Sequence, residues 1–380
     1  MGEYPRCGSL FIGIGALCRH NSPISDISAP GDRALPSKGK KVSLPARFDS
    51  VEHLEDVMTE PSMALIQEMA ALEGDIMVLG VGGKMGPTLA RMARRAAPNK
   101  RVIGVARFSE AGLRERLHAQ GVECIEADLL SRDAIASLPD VRNIVFMAGR
   151  KFGSQGSEWL TWAMNGWVPG LVAERFTKAR TVVFSTACVY PFTGVHSGGA
   201  REGVAPTPPG EYANSCVARE RMFEHFSHQH RTPGRLLRLS YAIDMRYGVL
   251  HDVAQKLLAR EAIDLSMGHA NIIWQGEANE WSLRALAHCD TPTSALNLSG
   301  PVISIREAAV GLGKRLGIEP RLAGVEAETA WLVDCEKAFG LFGEPKITLN
   351  QMLDWTADWA ARGMGSLGKP THYEARDGKY

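Results

Sequence analysis

A short strand-like run, Asp75-Ile-Met-Val-Leu79, leads directly into Gly80-Val-Gly-Gly83-Lys84-Met85-Gly86, and a helical pattern opens at Met85. That order of strand, glycine turn and helix admits few folds. Glycines let the backbone turn tightly and approach a pyrophosphate, which the free N–H groups and positive dipole end of the helix then meet. A strand-to-helix turn without a ligand could use the same glycines. The long alternation that follows favours nucleotide binding.

Apolar strands are predicted at Arg101–Val105, Glu123–Glu126, Asn143–Met147, Thr181–Phe184 and Leu236–Leu239, the last closing the series. Between them, helical spacing covers Glu110–Gln120, Trp159–Phe176 and Tyr212–His228. Continuous apolar strands alternating with helices predict an α/β fold, a doubly wound Rossmann-type parallel sheet covered on both faces. After Ser240 the pattern changes: helices at Leu250–Arg260, Trp281–Cys289, Ile305–Leu316 and Gln351–Arg362, with a strand at Ser294–Leu298, predict a smaller C-terminal α/β substrate domain. The domains expected are therefore a disordered extension (1–47), a helical lead (48–73), an NAD(P)-binding domain (74–243), a substrate region (244–362) and a polar tail (363–380). In the lead, Ser50 stands where a helix cap belongs, and a second helix is expected from Ser62 to Leu72.

The chain has 380 residues, with 43 basic against 42 acidic side chains. This balance gives no electrostatic case for nucleic acid or an anionic membrane. Its seven cysteines, Cys7, Cys18, Cys124, Cys188, Cys216, Cys289 and Cys335, are scattered and never form a C-x-x-C pair. They suit reduced thiols in the cytoplasm. Leu10–Cys18 resembles a signal peptide's apolar core, but Glu3 and the missing small-x-small cleavage site oppose that reading. No metal is expected, because His225, His228 and His230 lack an i,i+4 pair with a carboxylate partner.

At the end of the second strand, Ala106-Arg107 stands where an NAD enzyme offers an acid to the ribose hydroxyls. With Lys84 nearby, this leans the cofactor expectation from NAD toward NADP; solvated surface charge is the alternative. Asp128 is placed to meet the adenine edge or to cap the next helix. Arg150 and Lys151, after the fourth strand, read as substrate-anion binders or as solvated loop residues. Asp244 and Arg246 read as substrate-facing or as a surface pair.

In order and spacing, these residues resemble the extended short-chain dehydrogenase/reductase family, in its NAD-dependent epimerase/dehydratase branch. Gly80, Gly83 and Gly86 match its glycine pattern, and Asp128-Leu129 its adenine-side pair. Ala148-Gly149-Arg150-Lys151 resembles the loop after its fourth strand, and Asn165 its helix asparagine. Ser185-Thr186-Ala-Cys-Val-Tyr190 resembles its Ser-Ser/Thr-x-x-Val-Tyr run. Tyr212 and Glu220 match Tyr-x-x-x-Lys-x-x-x-Glu, with Cys216 in the lysine's place. Trp274-Gln-Gly-Glu277 replaces its Val-x-Asp-Asp segment.

The resemblance implies proton transfer by Thr186 and Tyr212, hydride exchange with a nicotinamide, a sugar, sugar derivative or polyol as substrate, and a homodimer built on the two long helices. Cys216 cannot perform the lysine's tasks of holding the nicotinamide ribose and favouring the phenolate. Arg219, returning within ~20° of Tyr212 on the helix, is one replacement, although an outward salt bridge is the plainer expectation for it. Arg150 and Lys151 are others. A nucleotide-binding sensor without turnover is the rival function, with Cys216 as its chief support.

Overall fold

The computed structural model describes residues 44–151 and 156–378. The signal-like stretch, and the expected extension as far as residue 43, lie outside the described residues. Seven strands form one parallel sheet: β1 (Ile76–Leu79), β2 (Val102–Ala106), β3 (Glu123–Glu126), β4 (Asn143–Phe146), β5 (Arg180–Thr186), β6 (Gly234–Leu239) and β7 (Ser294–Leu298). They lie in the order β7-β6-β5-β4-β1-β2-β3. Every neighbouring pair is parallel, which is the doubly wound Rossmann-type sheet the alternation predicts. The strand order reverses between β1 and β4, and in such sheets the crevice outside that switch point is where ligands bind.

The sheet is apolar on both faces. On one face Val78, Val145, Val182 and Leu237 pack with Leu89 and Ala93 of the helix Gly86–Ala96. On the other, Met77, Leu79, Ile144 and Phe146 meet Val168, Leu171, Val172 and Phe223. Burial on both sides explains why these strands read as unbroken apolar runs.

Two expectations about organisation change. Leu236–Leu239 does not close the series, because β7 adds a seventh strand along the whole of β6. That strand comes from beyond residue 244, so the nucleotide-binding and substrate regions do not separate at that point; from Pro45 onward the chain is one compact unit. Periodicity identifies Ser294–Leu298 as a strand without saying which sheet it joins. The helix Gln275–Arg284, longer than expected at its start, also returns to the sheet layer: Gln275 and Asn279 both donate to Thr88 Oγ1, at 3.2 and 3.0 Å.

The smaller lobe has its own core. Its three-stranded sheet, Tyr241–Ile243, His269–Trp274 and Val302–Ser304, packs with the helices Val249–Leu258, Ile305–Leu316 and Leu349–Ala361. The helical lead fastens both cores together. Ser50 and Ser62 cap the helices Val51–Met58 and Met63–Ala71. Phe48 lies 4.8 Å from the Trp355 ring in the small lobe, whereas Leu65 and Met69 enter the sheet core. The segment expected as a polar tail is packed instead: Thr371 and Tyr373 are fully buried.

One buried polar chain spans the strand ends. Glu220, wholly buried, accepts from Ser185 Oγ at 2.5 Å and from Arg238 Nη2 at 2.7 Å. Arg238 also donates to the Tyr190 hydroxyl at 2.7 Å, which donates to Asn297 Oδ1 at 2.8 Å. The chain thereby joins β5, β6, β7 and the Tyr212 helix. Breaking a buried ion pair on one side leaves an uncompensated charge, so Arg238→Leu should cost roughly 3–5 kcal/mol of stability in urea unfolding. An unchanged unfolding midpoint would show that this chain does not hold the strand ends.

Candidate active site

The glycine loop comes first, because its three glycines do different work. Gly80 has φ +90°, and a Cβ there would meet the Ala148 backbone at 2.6 Å. A Cβ on Gly86 would collide with the Val81 carbonyl. These two let β1, β4 and the following helix close on one another. Gly83 differs: a Cβ there meets nothing nearer than the Gly80 oxygen at 3.5 Å, and Gly83 lines the cavity beyond. The helix Gly86–Ala96 has no side-chain cap at its N-terminus. In its first turn the Gly86 N–H donates to Gly83 O at 3.3 Å and Pro87 carries none, so what this helix offers an anion is chiefly its positive dipole end. The loop therefore suits a pyrophosphate.

Beyond the loop lies a cavity of about 740 Å³, into which Gly80, Gly83, Lys84, Met85, Gly86, Gly149, Arg150, Lys151, Thr186 and Tyr212 all project. Thr186 ends β5 and its hydroxyl accepts from Cys188 N at 3.2 Å, fixing the rotamer. Tyr212 stands one residue into the helix Glu211–His230. Burial, followed by the neighbouring thiols of Cys216 and Cys188, pushes its phenol well above the ordinary value, while Arg219 pulls it down. At neutral pH Tyr212 rests as the neutral phenol.

Arg219 is turned inward, against the expectation of an outward salt bridge. Its Nη1 donates to Phe184 O and its Nη2 to Asn165 Oδ1, both at 2.7 Å. It is 6% exposed and also lines the cavity. The seven-residue spacing brings it back beneath Tyr212, and two acceptors at the strand ends hold it there. The guanidinium lies so close to Gly149 that a Cβ at that position would collide with it.

Asn165 organises this floor. Its amide donates to Arg150 O (2.8 Å) and Ser215 Oγ (2.9 Å), and accepts from Arg150 N (2.8 Å) and Arg219. The helix expected over Trp159–Phe176 is interrupted where this happens: Glu158–Trp162 and Val168–Arg175 are α-helical, but Ala163–Trp167 is a π-turn. Such turns carry an extra residue and gather at functional sites.

Other predicted residues fall elsewhere. Cys216 is fully buried and does not line the cavity; it accepts a hydrogen bond from Tyr212, and burial pushes its thiol up. Ala148 packs against Gly80. Leu129 is a core residue, and exposed Asp128 accepts from Leu130 N at 3.0 Å, so it caps its own turn. Arg107 is exposed outside the cavity wall. The Lys84 ammonium sits 3.4 Å from the Tyr247 ring centre, and burial, then Lys151 and Lys369, bring it down to about 7. Asp244 is buried and bound to Arg246 at 2.7 Å, with Arg246 reaching Glu55 at 2.8 Å. This pair anchors the helical lead and does not face the cavity. In the Trp274–Glu277 segment, Gln275 lines the cavity and Glu277 accepts from Lys346 N at 2.5 Å; burial pushes its carboxyl up to about 7.

Sequence reasoning missed Tyr241, Tyr247, Trp331, Lys369 and His372, which also form walls. None belongs to a motif, and the last two sit in a stretch whose glycine and polar content reads as a tail.

The three glycine roles separate experimentally. Gly83→Val should leave the melting temperature near that of the wild type and abolish the thermal shift produced by NAD or NADP. Gly86→Ala should lower the melting temperature itself. A Gly83→Val protein that shifts with either nucleotide as the wild type does would remove this loop from the binding site.

Comparison with known proteins agrees with this geometry. Solved structures with the same fold include UDP-glucuronic acid 4-epimerase from Bacillus cereus, in complex with UDP-glucuronic acid and NAD (18% identity, TM-score 0.65, 76% of this chain and 99% of that one). Another is dTDP-glucose 4,6-dehydratase from Bacillus anthracis in complex with NAD (16%, TM-score 0.65, 76% and 96%). A third is UDP-glucose 4-epimerase from Thermus thermophilus with NAD (18%, TM-score 0.63, 76% and 99%). Among curated protein sequences there is no match. The family model described as NAD dependent epimerase/dehydratase family matches residues 76–275, from β1 through the start of the helix Gln275–Arg284. With more than half of its length matched by that model, the chain belongs to the NAD-dependent epimerase/dehydratase family and is an enzyme of that nicotinamide-dependent type.

Proposed function

We propose that this enzyme acts on a sugar or sugar derivative, with Tyr212 exchanging a proton with the substrate oxygen and Thr186 orienting that oxygen. The observation that carries this reading is that Tyr212, Thr186 and the glycine loop line one cavity. The bound nicotinamide would accept or return a hydride there. Gly80, Gly83, Met85 and Gly86 would hold its pyrophosphate through the loop and the uncapped helix end. The sugar class is supported by the names of the three solved relatives above, each an enzyme of a nucleotide-linked sugar.

Arg219 takes over the electrostatic task of the missing lysine. A guanidinium keeps its charge at any working pH, and this one lies close enough to draw the Tyr212 phenol down. It lends the phenolate the stabilisation that a lysine four residues after the tyrosine would otherwise lend. Burial of Cys216 also weakens the sensor reading, since a reactive thiol needs access and a lowered pKa. For the cofactor, Arg107 alone remains in favour of NADP, because Lys84 is engaged at Tyr247. Reduced thiols at the five described cysteines fit the cytoplasm, and no helix among the described residues is long and apolar enough to cross a membrane.

A homodimer fits the surface of the first long helix. Of the apolar residues that such a dimer would be expected to use, Trp162 and Trp167 are 40% and 54% exposed, with Trp159 beside them at 72%, whereas Leu171 and Val172 face the sheet. Large aromatics left to water on one element favour a second copy as their cover. Light scattering should give twice the chain mass, and Trp159→Glu with Trp167→Glu should give one; a monomeric wild type would end this reading.

The catalytic assignment is tested on the NAD-loaded protein with UDP-glucuronic acid, UDP-glucose and dTDP-glucose. On whichever sugar turns over, Tyr212→Phe should lower the rate roughly a hundredfold or more. Arg219→Met should lower it too and move the basic limb of the pH profile upward. Cys216→Lys should not help, because it sets a second cation beside Arg219. Full activity in the Tyr212→Phe protein would remove the catalytic role of this helix.

A further inference from the structure

Lys84 stands between Gly83 and Gly86, inside the loop proposed above as the seat of the pyrophosphate. The loop backbone is fixed there, since Gly83 N–H donates to Gly80 O at 3.1 Å and Gly86 N–H to Gly83 O at 3.3 Å. The Lys84 side chain leaves the sheet lobe, lines the cavity and ends 3.4 Å from the centre of the Tyr247 ring, which belongs to the small lobe. Tyr247 is a firm platform. It closes a turn with Asp244, each donating its N–H to the other's carbonyl at 3.0 Å, and Arg246 within the turn is held by Asp244 and Glu55. Burial pushes the Tyr247 phenol above its ordinary value, so it presents a neutral ring face to the ammonium and not a counter-charge.

Three elements bring charge to this ammonium. Lys151, from the loop after β4, and Lys369, from the C-terminal segment, disfavour its proton; Asp252, on the helix Val249–Leu258, favours it. The segment 363–378, which reads as a polar tail in the sequence, ties two of these elements together as a fastened strap. Its Thr371 donates from both N–H and hydroxyl to Asp252 Oδ2, at 2.7 and 2.5 Å, and the Thr371 carbonyl accepts from Lys151 Nζ at 3.4 Å. The other titratable side chains lining the cavity are Arg150, Arg219, His372, Cys188, Tyr212 and Tyr241. Burial first, then Lys151 and Lys369, bring Lys84 down to about 7. A pyrophosphate on the loop sets two negative charges beside the root of this side chain, and a nearby anion favours the charged ammonium.

We propose that Lys84 is a cofactor-binding residue in its own right, an ammonium that meets the dinucleotide pyrophosphate from the Tyr247 side of the cleft and takes up a proton as it does so. This rests on the loop as the pyrophosphate's seat and adds a property to it: cofactor affinity depends on pH through one side chain. The direction follows from linkage. The bound anion holds the lysine's proton more tightly than the free protein does, so binding consumes a proton wherever free Lys84 is neutral. Affinity is therefore full below about 7 and falls as pH rises through that value, by up to about tenfold per unit, until the bound lysine itself loses its proton.

Calorimetric titration of the full chain with NAD at pH 8, in phosphate and in Tris, reads the proton directly, because the two buffers differ in heat of ionisation. The wild type should take up about one proton per NAD bound. Lys84→Met should take up none, bind NAD about tenfold more weakly at pH 7 and lose the pH dependence. Its melting temperature without ligand should equal or exceed that of the wild type, since a charge crowded by like charges is gone. NADP should lose affinity by the same factor as NAD, because the two share the pyrophosphate. Three results overturn the proposal: no buffer dependence in the wild type, proton uptake that persists in Lys84→Met, or a loss confined to NADP, which would put the lysine at a 2′-phosphate. The wild-type titration alone decides the first, whatever the variant's stability. Failure of both nucleotides to bind the wild type would instead remove the glycine loop as the pyrophosphate's seat.

Discussion

Everything at the candidate site depends on the four hydrogen bonds of one fully buried amide, Asn165. Through them the loop after β4, the Ser215 hydroxyl of the Tyr212 helix and the Arg219 guanidinium become one rigid floor. An unsatisfied buried amide is costly, so its partners cannot drift independently. Arg219 in turn bridges to the end of β5, where Phe184 accepts from it and Thr186 follows two residues later. The positions of tyrosine, threonine and cation are thus set by one connected set of bonds, with the Glu220–Arg238 pair bracing the same strand ends from behind.

On the reading proposed above, charge in this floor has been moved, not lost. The position that carries an ammonium in the family pattern holds a buried thiol, and the positive charge appears three residues later on the same helix. An arginine is better suited to that longer reach, since its planar fork can satisfy two acceptors while remaining charged in a dry environment. Burial, then the thiols of Cys216 and Cys188, favours the protonated phenol, and Arg219 opposes them.

The sheet and its glycine loop were legible because both follow from short-range pattern: apolar runs, turn glycines and helix caps within a few residues. Asn165 and Thr186 were legible by order alone. What escaped was set by long-range pairing. Asp244 looks substrate-facing until Arg246 pairs with it and ties it to Glu55, almost two hundred residues away. Arg219 is one arginine among many until Phe184 O and Asn165 Oδ1 meet it. The strap was least legible, because glycine-rich polar stretches are read as solvated, and its burial depends on partners such as Asp252 that no local window contains.

The π-turn at Ala163–Trp167 has a consequence for how this surface and this site can vary. One surplus residue sets the two halves of a helix out of step by about 100°. Upstream, Trp159 faces water; downstream, Leu171 and Val172 face the sheet; between them, the amide of Asn165 points inward. In a continuous α-helix those three orientations would be locked in phase, and any change to the outer face would rotate against the inner one. The surplus residue uncouples them, so the exterior of this helix is free to change its partner while the floor beneath the tyrosine stays fixed.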